Sequence, residues 1–175
     1  MNAPIRRTML LSSVFAAFLY IGTDGALAIA HLHINFSSSV PLGLYRETPE
    51  LPGSYAGICL PTNTLTQAAH AGLAIDSGTC PGGVEPILKP VFVATPAHPI
   101  AFGQDGFSLD GKLLPNTAPK PRSKTGVPLA HVPFGLYETG LWAISDFSPS
   151  SFDSRYFGPV EPGSILFHAQ PFLTF

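Results

Sequence analysis

Lys89 stands inside an apolar run, Ile87-Leu88-Lys89-Pro90-Val91-Phe92-Val93-Ala94, while Lys112, Lys120 and Lys124 lie in polar hairpin and loop segments. Burial disfavours an ammonium ion, so a lysine drawn into such a run has a lowered pKa. Its neutral amine is a general base near pH 7. The alternative is a stem that covers apolar surface while the amine reaches water. A base needs a nucleophile, and Ser37-Ser38-Ser39, in a loop that ends with Pro41 and Gly43, supplies three hydroxyls. Those serines read either as a solvated turn or as the source of a nucleophile. A serine hydroxyl is weak until a base takes its proton, and serine with neutral lysine is a recognised form of that pair. A third stretch, Ser151-Phe152-Asp153-Ser154-Arg155-Tyr156-Phe157-Gly158-Pro159, sets Asp153 and Arg155 among aromatics in a chain that is only 11% charged. Buried charges need partners, so this pair is either a structural ion pair at a strand end or the support of a site.

Other chemistries find no foothold. The histidines (His31, His33, His70, His98, His131 and His168) are scattered without metal-ligand spacing, and no Gly-rich phosphate loop is present. No metal and no cofactor are therefore expected. The formal net charge is -2, and no basic stripe runs along the chain, which argues against nucleic acid as a partner.

The elements that must position these residues are mostly strands. Gly and Pro are abundant (17 and 19), and β-branched and aromatic residues recur in short runs, a composition of many short strands and turns. Strands are expected at 32–36, 55–60, 87–94 and 164–167, with Pro90 marking an edge strand or a bulge. A short helix is expected over 64–74. Asp110-Gly111 signals a hairpin within 106–112, and residues 135–145 read as a further hairpin ending in the strand Leu141-Trp142-Ala143-Ile144-Ser145. Residues 115–128 are polar, Pro-rich and basic, the pattern of an exposed loop. The Phe-rich C-terminus reads as strand and core.

Residues 1–30 form a separate unit. Arg6 and Arg7 precede an apolar run from Met9 to Ile21, Gly22-Thr23-Asp24-Gly25 interrupts it, and apolar character resumes over 26–30. The segment reads as a retained membrane anchor or as a cleaved signal segment with a small-residue Ala-Leu-Ala stretch. Either way the two arginines place the N-terminus in the cytoplasm. Residues 31–175 then form one domain outside the cytoplasmic membrane. Cys59 and Cys80 suit that side, where an oxidising compartment permits a disulfide between them; two free buried thiols are the alternative.

Three boxes in order make the chain resemble a known family. Asn35-Phe36-Ser37-Ser38-Ser39-Val40-Pro41-Leu42-Gly43-Leu44-Tyr45 is similar to the N-x-[S/T]-x-S-x-P-x-G-x-Y box of the TraF-type conjugal transfer peptidases, relatives of bacterial type I signal peptidases. Residues 82–91 resemble their lysine strand, and Ser151 to Pro159 resembles their Asp-Ser-Arg-Tyr-Phe-Gly box. The resemblance implies a mainly β, signal-peptidase-like catalytic domain on one N-terminal transmembrane helix, in the bacterial inner membrane with the domain in the periplasm. It implies Ser39 as nucleophile and Lys89 as general base. Ser37 and the backbone N–H of Ser39 would form the oxyanion hole. Ser151 would hold the lysine amine, with Asp153 and Arg155 as the supporting ion pair. If Asp153 instead approached Lys89, it would raise the lysine pKa and oppose base function. The implied partner is a pilin precursor or another membrane-inserted pre-protein, and the acceptor is water or the substrate's own amine, which would close the product into a circle. A general signal peptidase acting on many precursors is the alternative. Two departures stand out: Val40 where signal peptidases usually have Met, and Thr95-Pro96-Ala97-His98-Pro99 in place of a Gly-Asp turn after the lysine strand.

Overall fold

A computed structural model describes residues 31–50, 54–70, 72, 78–123 and 125–175. The expected membrane segment, residues 1–30, lies outside them. Among the described residues no helix is long and apolar enough to cross a membrane.

The fold is mainly β. Among the described residues ten strands form two antiparallel sheets: β1 (Leu32–Asn35), β2 (Gly43–Thr48), β3 (Tyr55–Ile58), β4 (Ile87–Val93), β5 (Ile100–Gly103), β6 (Gly106–Leu109), β7 (Lys112–Leu113), β8 (Gly135–Tyr137), β9 (Leu141–Ala143) and β10 (Ile165–Thr174). The larger sheet runs β1-β2-β10-β3-β4-β9 and the smaller β7-β6-β5-β8. The described residues also hold two short α-helices, α1 (Leu65–His70) and α2 (Ser154–Phe157). The second half of the helix expected over 64–74 lies mostly outside the described residues.

The register of β4 is what matters for Lys89. Side chains alternate between the two faces of a strand. Leu88 joins Val40, Tyr45 and Ala169 in one core cluster. Ile87 and Val91 pack with Ala56, Ile58, Phe152 and Tyr156 in another. Lys89 shares the face of Ile87 and Val91, opposite Ala56 of β3, and is 1% exposed. The strand is not at an edge, which is one of the two readings of Pro90, the other being a bulge. Residues 87–90 pair with β3 and residues 91–93 with β9. Pro90 sits at the handover, and its carbonyl accepts from the Ile144 N–H at 3.0 Å.

The β1–β2 hairpin presents residues 36–42 as its loop, with Asn35 opposite Gly43. Gly43 has φ of 135°, and a Cβ there would lie 2.1 Å from the Leu173 carbonyl oxygen, so the approach of β10 to this corner requires glycine. The Asp110-Gly111 hairpin is present, with both φ positive (49° and 76°) as a two-residue primed turn needs.

Two expectations are corrected. Residues 135–145 are not a hairpin: β8 pairs with β5 in the small sheet, whereas β9 pairs with β4 in the large one. The chain changes sheets at Gly140 (φ 101°), and Trp142 carries the small-sheet core of Ile100, Phe102 and Phe107 across to β9. The C-terminus is strand but not core. β10 runs through Thr174 between β2 and β3, yet Phe172, Leu173 and Phe175 are exposed.

Cys59, just after β3, and Cys80 form a disulfide. Their small cluster with Val84 braces the loop that leads into β4.

Candidate active site

Asn35 winds the serine loop. Its Nδ2 donates to the carbonyls of Ser37, Val40 and Pro41 at 2.9, 3.2 and 3.0 Å, and its Oδ1 accepts from the Ser37 N–H at 3.0 Å. One buried amide thereby satisfies backbone groups that no strand partner reaches. The Tyr45 hydroxyl donates to the Pro41 carbonyl at 2.7 Å, and Val40 is fully buried against Tyr45 and Leu88. Ser39 is thus held at the sheet surface, 9% exposed, while Ser37 and Ser38 are exposed. The Ser39 N–H points at Ser37 Oγ, 3.4 Å away, which is long for a hydrogen bond. The two groups expected to hold an oxyanion therefore stand together and are only weakly committed to each other.

Lys89 Nζ donates to Ser151 Oγ at 2.9 Å. Burial lowers the Lys89 pKa from 10.5 to about 8; the Asp153 charge raises it and the Arg155 charge lowers it, both less than burial does. Asp153 raises the lysine pKa, as expected of a nearby carboxylate, but less than burial lowers it, and its oxygens are taken by other donors. Arg155 Nε donates to Oδ1 and Nη2 to Oδ2, both at 2.8 Å, with both side chains fully buried. Oδ1 also caps α2 through the Arg155 N–H at 3.1 Å, and Oδ2 accepts the Ser145 N–H at 3.1 Å. Burial pulls the Arg155 pKa down, but the hydrogen bonds and charge of Asp153 outweigh it and hold the guanidinium above the usual arginine value.

The ion pair ties the catalytic candidates into one network. Arg155 Nη2 donates to the Ser151 carbonyl at 3.1 Å, so the residue that receives Lys89 is fixed by the guanidinium. Arg155 Nη1 donates to the carbonyls of Asn116 and Ala118 at 2.9 and 3.3 Å, rooting the Pro-rich loop. Ser145 closes the circuit, its hydroxyl donating to the Ser39 carbonyl oxygen. Ser39 and Lys89 are thus joined through Ser145, Asp153, Arg155 and Ser151. Among the described residues no hydrogen bond connects Ser39 Oγ directly to Lys89 Nζ. Such an arrangement offers an amine of lowered pKa, a hydroxyl and a paired donor set for an oxygen anion, the parts of acyl transfer.

All the residues singled out from the sequence (Ser37, Ser39, Lys89, Ser151, Asp153 and Arg155) belong to this network. Ser145 and the organising role of Asn35 escaped sequence reasoning. The available signal was polarity at the end of an apolar strand: a buried hydroxyl there needs a partner. Ser154 was missed likewise; its Oγ accepts the Ala143 N–H at 2.9 Å and fastens α2 to β9. Among the described residues no group of three or more metal-ligating side chains is placed to hold an ion.

Comparison with known proteins finds relatives that match most of this chain. The chain is 30% identical over 173 residues to the probable conjugal transfer protein TraF of Sinorhizobium fredii, covering 97% of this chain and 91% of that one. It is 33% identical over 163 residues to the plasmid transfer protein TraF of Escherichia coli, covering 90% of each. Against the conjugal transfer protein TraF of Agrobacterium tumefaciens it is 29% identical over 174 residues, 97% of each chain. No family model matches, and no solved structure matches.

Proposed function

The chain belongs to the TraF family of conjugal transfer proteins, and from that premise we propose that it is a membrane-anchored serine endopeptidase, signal-peptidase-like, that matures the pilin subunit of a conjugative transfer system. The catalytic pair is Ser39 and Lys89, and the domain works on the periplasmic side of the inner membrane. The observation that carries this reading is the buried Lys89 amine, its pKa lowered to about 8 and its position set by Ser151. A structural lysine gains nothing from being held dry, with its pKa lowered, within the network that fixes a serine.

In this reading the substrate carbonyl seats over Ser39, and its oxygen takes the Ser39 N–H in place of the long contact to Ser37 Oγ. Neutral Lys89 receives the Ser39 proton, and Oγ attacks the carbonyl carbon. The 3.4 Å contact in the ligand-free protein leaves the N–H available, and catalytic hydrogen bonds of a free site commonly tighten only with substrate. The new oxyanion is stabilised by the Ser39 N–H and the Ser37 hydroxyl. Lys89 returns its proton to the leaving amine, which departs and leaves an acyl-enzyme on Ser39. Lys89 then takes a proton from the incoming acceptor, water or the substrate's own amine; the acceptor displaces Oγ, and Lys89 returns that proton to Oγ, restoring the free serine and the neutral amine.

The test is the intact mass of a candidate pro-pilin co-expressed with the wild-type protein or with Ser39→Ala. A truncated product one water lighter than its linear form, absent with Ser39→Ala, is the cyclised outcome. A linear product that depends on Ser39 is plain hydrolysis. Processing that persists with Ser39→Ala overturns the reading.

A further inference from the structure

We propose that a basic pocket beside Ser151 binds the carboxylate side chain of an acidic residue in the peptide substrate, an inference that rests on the peptidase reading above. The pocket is a small cleft of about 20 Å³, partly open to solvent, and Lys120, Arg122, Ser123, Ser150 and Ser151 line it together with the rings of Phe152 and Tyr156. Ser151 is the wall shared with the candidate site, since its hydroxyl receives Lys89 Nζ.

The basic loop that supplies the cations is built rather than loose. The Lys120 N–H donates to the Tyr156 hydroxyl at 3.1 Å, the Leu129 N–H to the Pro121 carbonyl at 3.0 Å, and the Ser123 N–H to the Val127 carbonyl at 2.8 Å. Its root is held by Arg155 through Asn116 and Ala118. Lys120 Nζ reaches Ser150 Oγ at 3.4 Å, and Arg122 Nη1 donates to the Gly126 carbonyl at 2.9 Å. A guanidinium has five N–H donors and an ammonium three, so most are left for a ligand. Among the described residues no carboxylate lies within ion-pair distance of Lys120 or Arg122; the buried Asp153 is taken by Arg155. Two positioned cations and three serine hydroxyls, with no carboxylate among the described residues at ion-pair distance from either cation, make an anion site.

The apolar wall chooses the ligand. Leu129, Phe152 and Tyr156 would sheath the methylenes of a glutamate while its carboxylate meets Lys120 and Arg122. A free phosphate has nothing to place there. Because the pocket adjoins the residue that holds Lys89, a side chain bound in it belongs to the chain being cut.

The experiment uses the full-length Ser39→Ala protein in nonionic detergent and fluorescein-labelled alanine-rich peptides. A single Glu, or Gln as its control, is moved along the positions flanking the scissile bond, and affinity is read by anisotropy. At one position Glu should bind about tenfold more tightly than Gln, as charge-assisted hydrogen bonds to carboxylate allow. Added salt should shrink that preference. Lys120→Gln/Arg122→Gln should abolish it, and Lys120→Glu/Arg122→Glu should transfer it to Lys-bearing peptides. No Glu preference at any position, or a preference that survives both charge variants, overturns the proposal. So does charge-dependent binding to vesicles containing anionic lipid without any discrimination among the peptides. The peptidase reading fails separately, when the protein with Ser39 intact cleaves none of these peptides.

Discussion

The Ser145 hydroxyl donates to the carbonyl oxygen of Ser39, and the Ser145 N–H donates to Asp153 Oδ2 at 3.1 Å. Ser145 thereby couples the serine loop of one hairpin to the buried ion pair. It acts on the backbone of Ser39, not on its hydroxyl, so it is a positioning residue. Ser145→Ala keeps the N–H contact but leaves a carbonyl without its donor. We expect a stability loss of about 1–2 kcal/mol and a processing rate lowered roughly tenfold or more, as misplacement of a reacting group produces. Single-turnover processing beside thermal melting separates the two effects. The loss should fall on the rate of the chemical step and leave substrate affinity unchanged.

The pH profile follows from the burial of Lys89. A base must be neutral to act, and its pKa is lowered to about 8. Activity should therefore be low in acid, rise with pH and reach half its plateau near pH 8. Ser151→Ala removes the acceptor of the 2.9 Å hydrogen bond and should lower the plateau by releasing the amine from its position. A profile flat from pH 6 to 9 would remove Lys89 from the role of base.

Asp153 and Arg155 are both fully buried and share two hydrogen bonds of 2.8 Å. Breaking such a pair on one side leaves a charge without its counter-charge and costs about 3–5 kcal/mol. Asp153→Asn and Arg155→Met should each destabilise by that order, measured by urea unfolding. The double variant should lose much less than the sum. Additive losses would mean that the pair is not coupled.

Much of this was legible, and the reason differs by residue. The strands around Tyr55–Ile58 and Ile87–Val93 stand out because short β-prone runs end at turn signals, and Asp110-Gly111 announces its own turn. Lys89, Asp153 and Arg155 stood out as charges in apolar surroundings. Partners of distant origin were not legible. Residues 135–145 alternate like a hairpin, but Leu136 pairs with Ala101 and Trp142 with Phe92, choices set by tertiary packing. Ser145 gains its role only from Ser39, far earlier in the chain. Phe172 and Phe175 read as core from composition, which does not report that more than half of each stays exposed. Arg46 lies over the Phe172 ring at 4.0 Å, a surface contact that composition also hides.

The disulfide is a separable support. Cys59 follows β3 directly, and Ile58 pairs with Ile87, so the bridge braces the strand next to Lys89. Closing a loop of this length is worth about 3 kcal/mol. Cys59→Ala/Cys80→Ala should lower stability by about that amount, a melting shift of roughly 6–12 °C for a chain of this size. The midpoint of the pH profile should not move, because Ser151 and the pairing of β4 with β3 and β9 fix Lys89 without the bridge. A shifted midpoint would mean that the disulfide sets the burial of the amine.

The lysine itself should trade stability for its chemistry. The unfolded chain keeps the Lys89 proton up to pH 10.5, whereas the folded chain gives it up near 8. Folding therefore carries the full penalty below pH 8, and the penalty fades as pH rises toward 10.5. Two and a half pH units correspond to about 3 kcal/mol, from which the lost hydrogen bond to Ser151 takes back about 1 kcal/mol. Lys89→Met should abolish processing, yet fold more stably than the parent by about 2 kcal/mol at pH 7. That advantage should vanish near pH 10.5. Urea unfolding of both proteins across this range is the measurement. A Lys89→Met protein less stable than the parent at pH 7 would mean that the amine is a structural donor, held for Ser151 and not for a reaction.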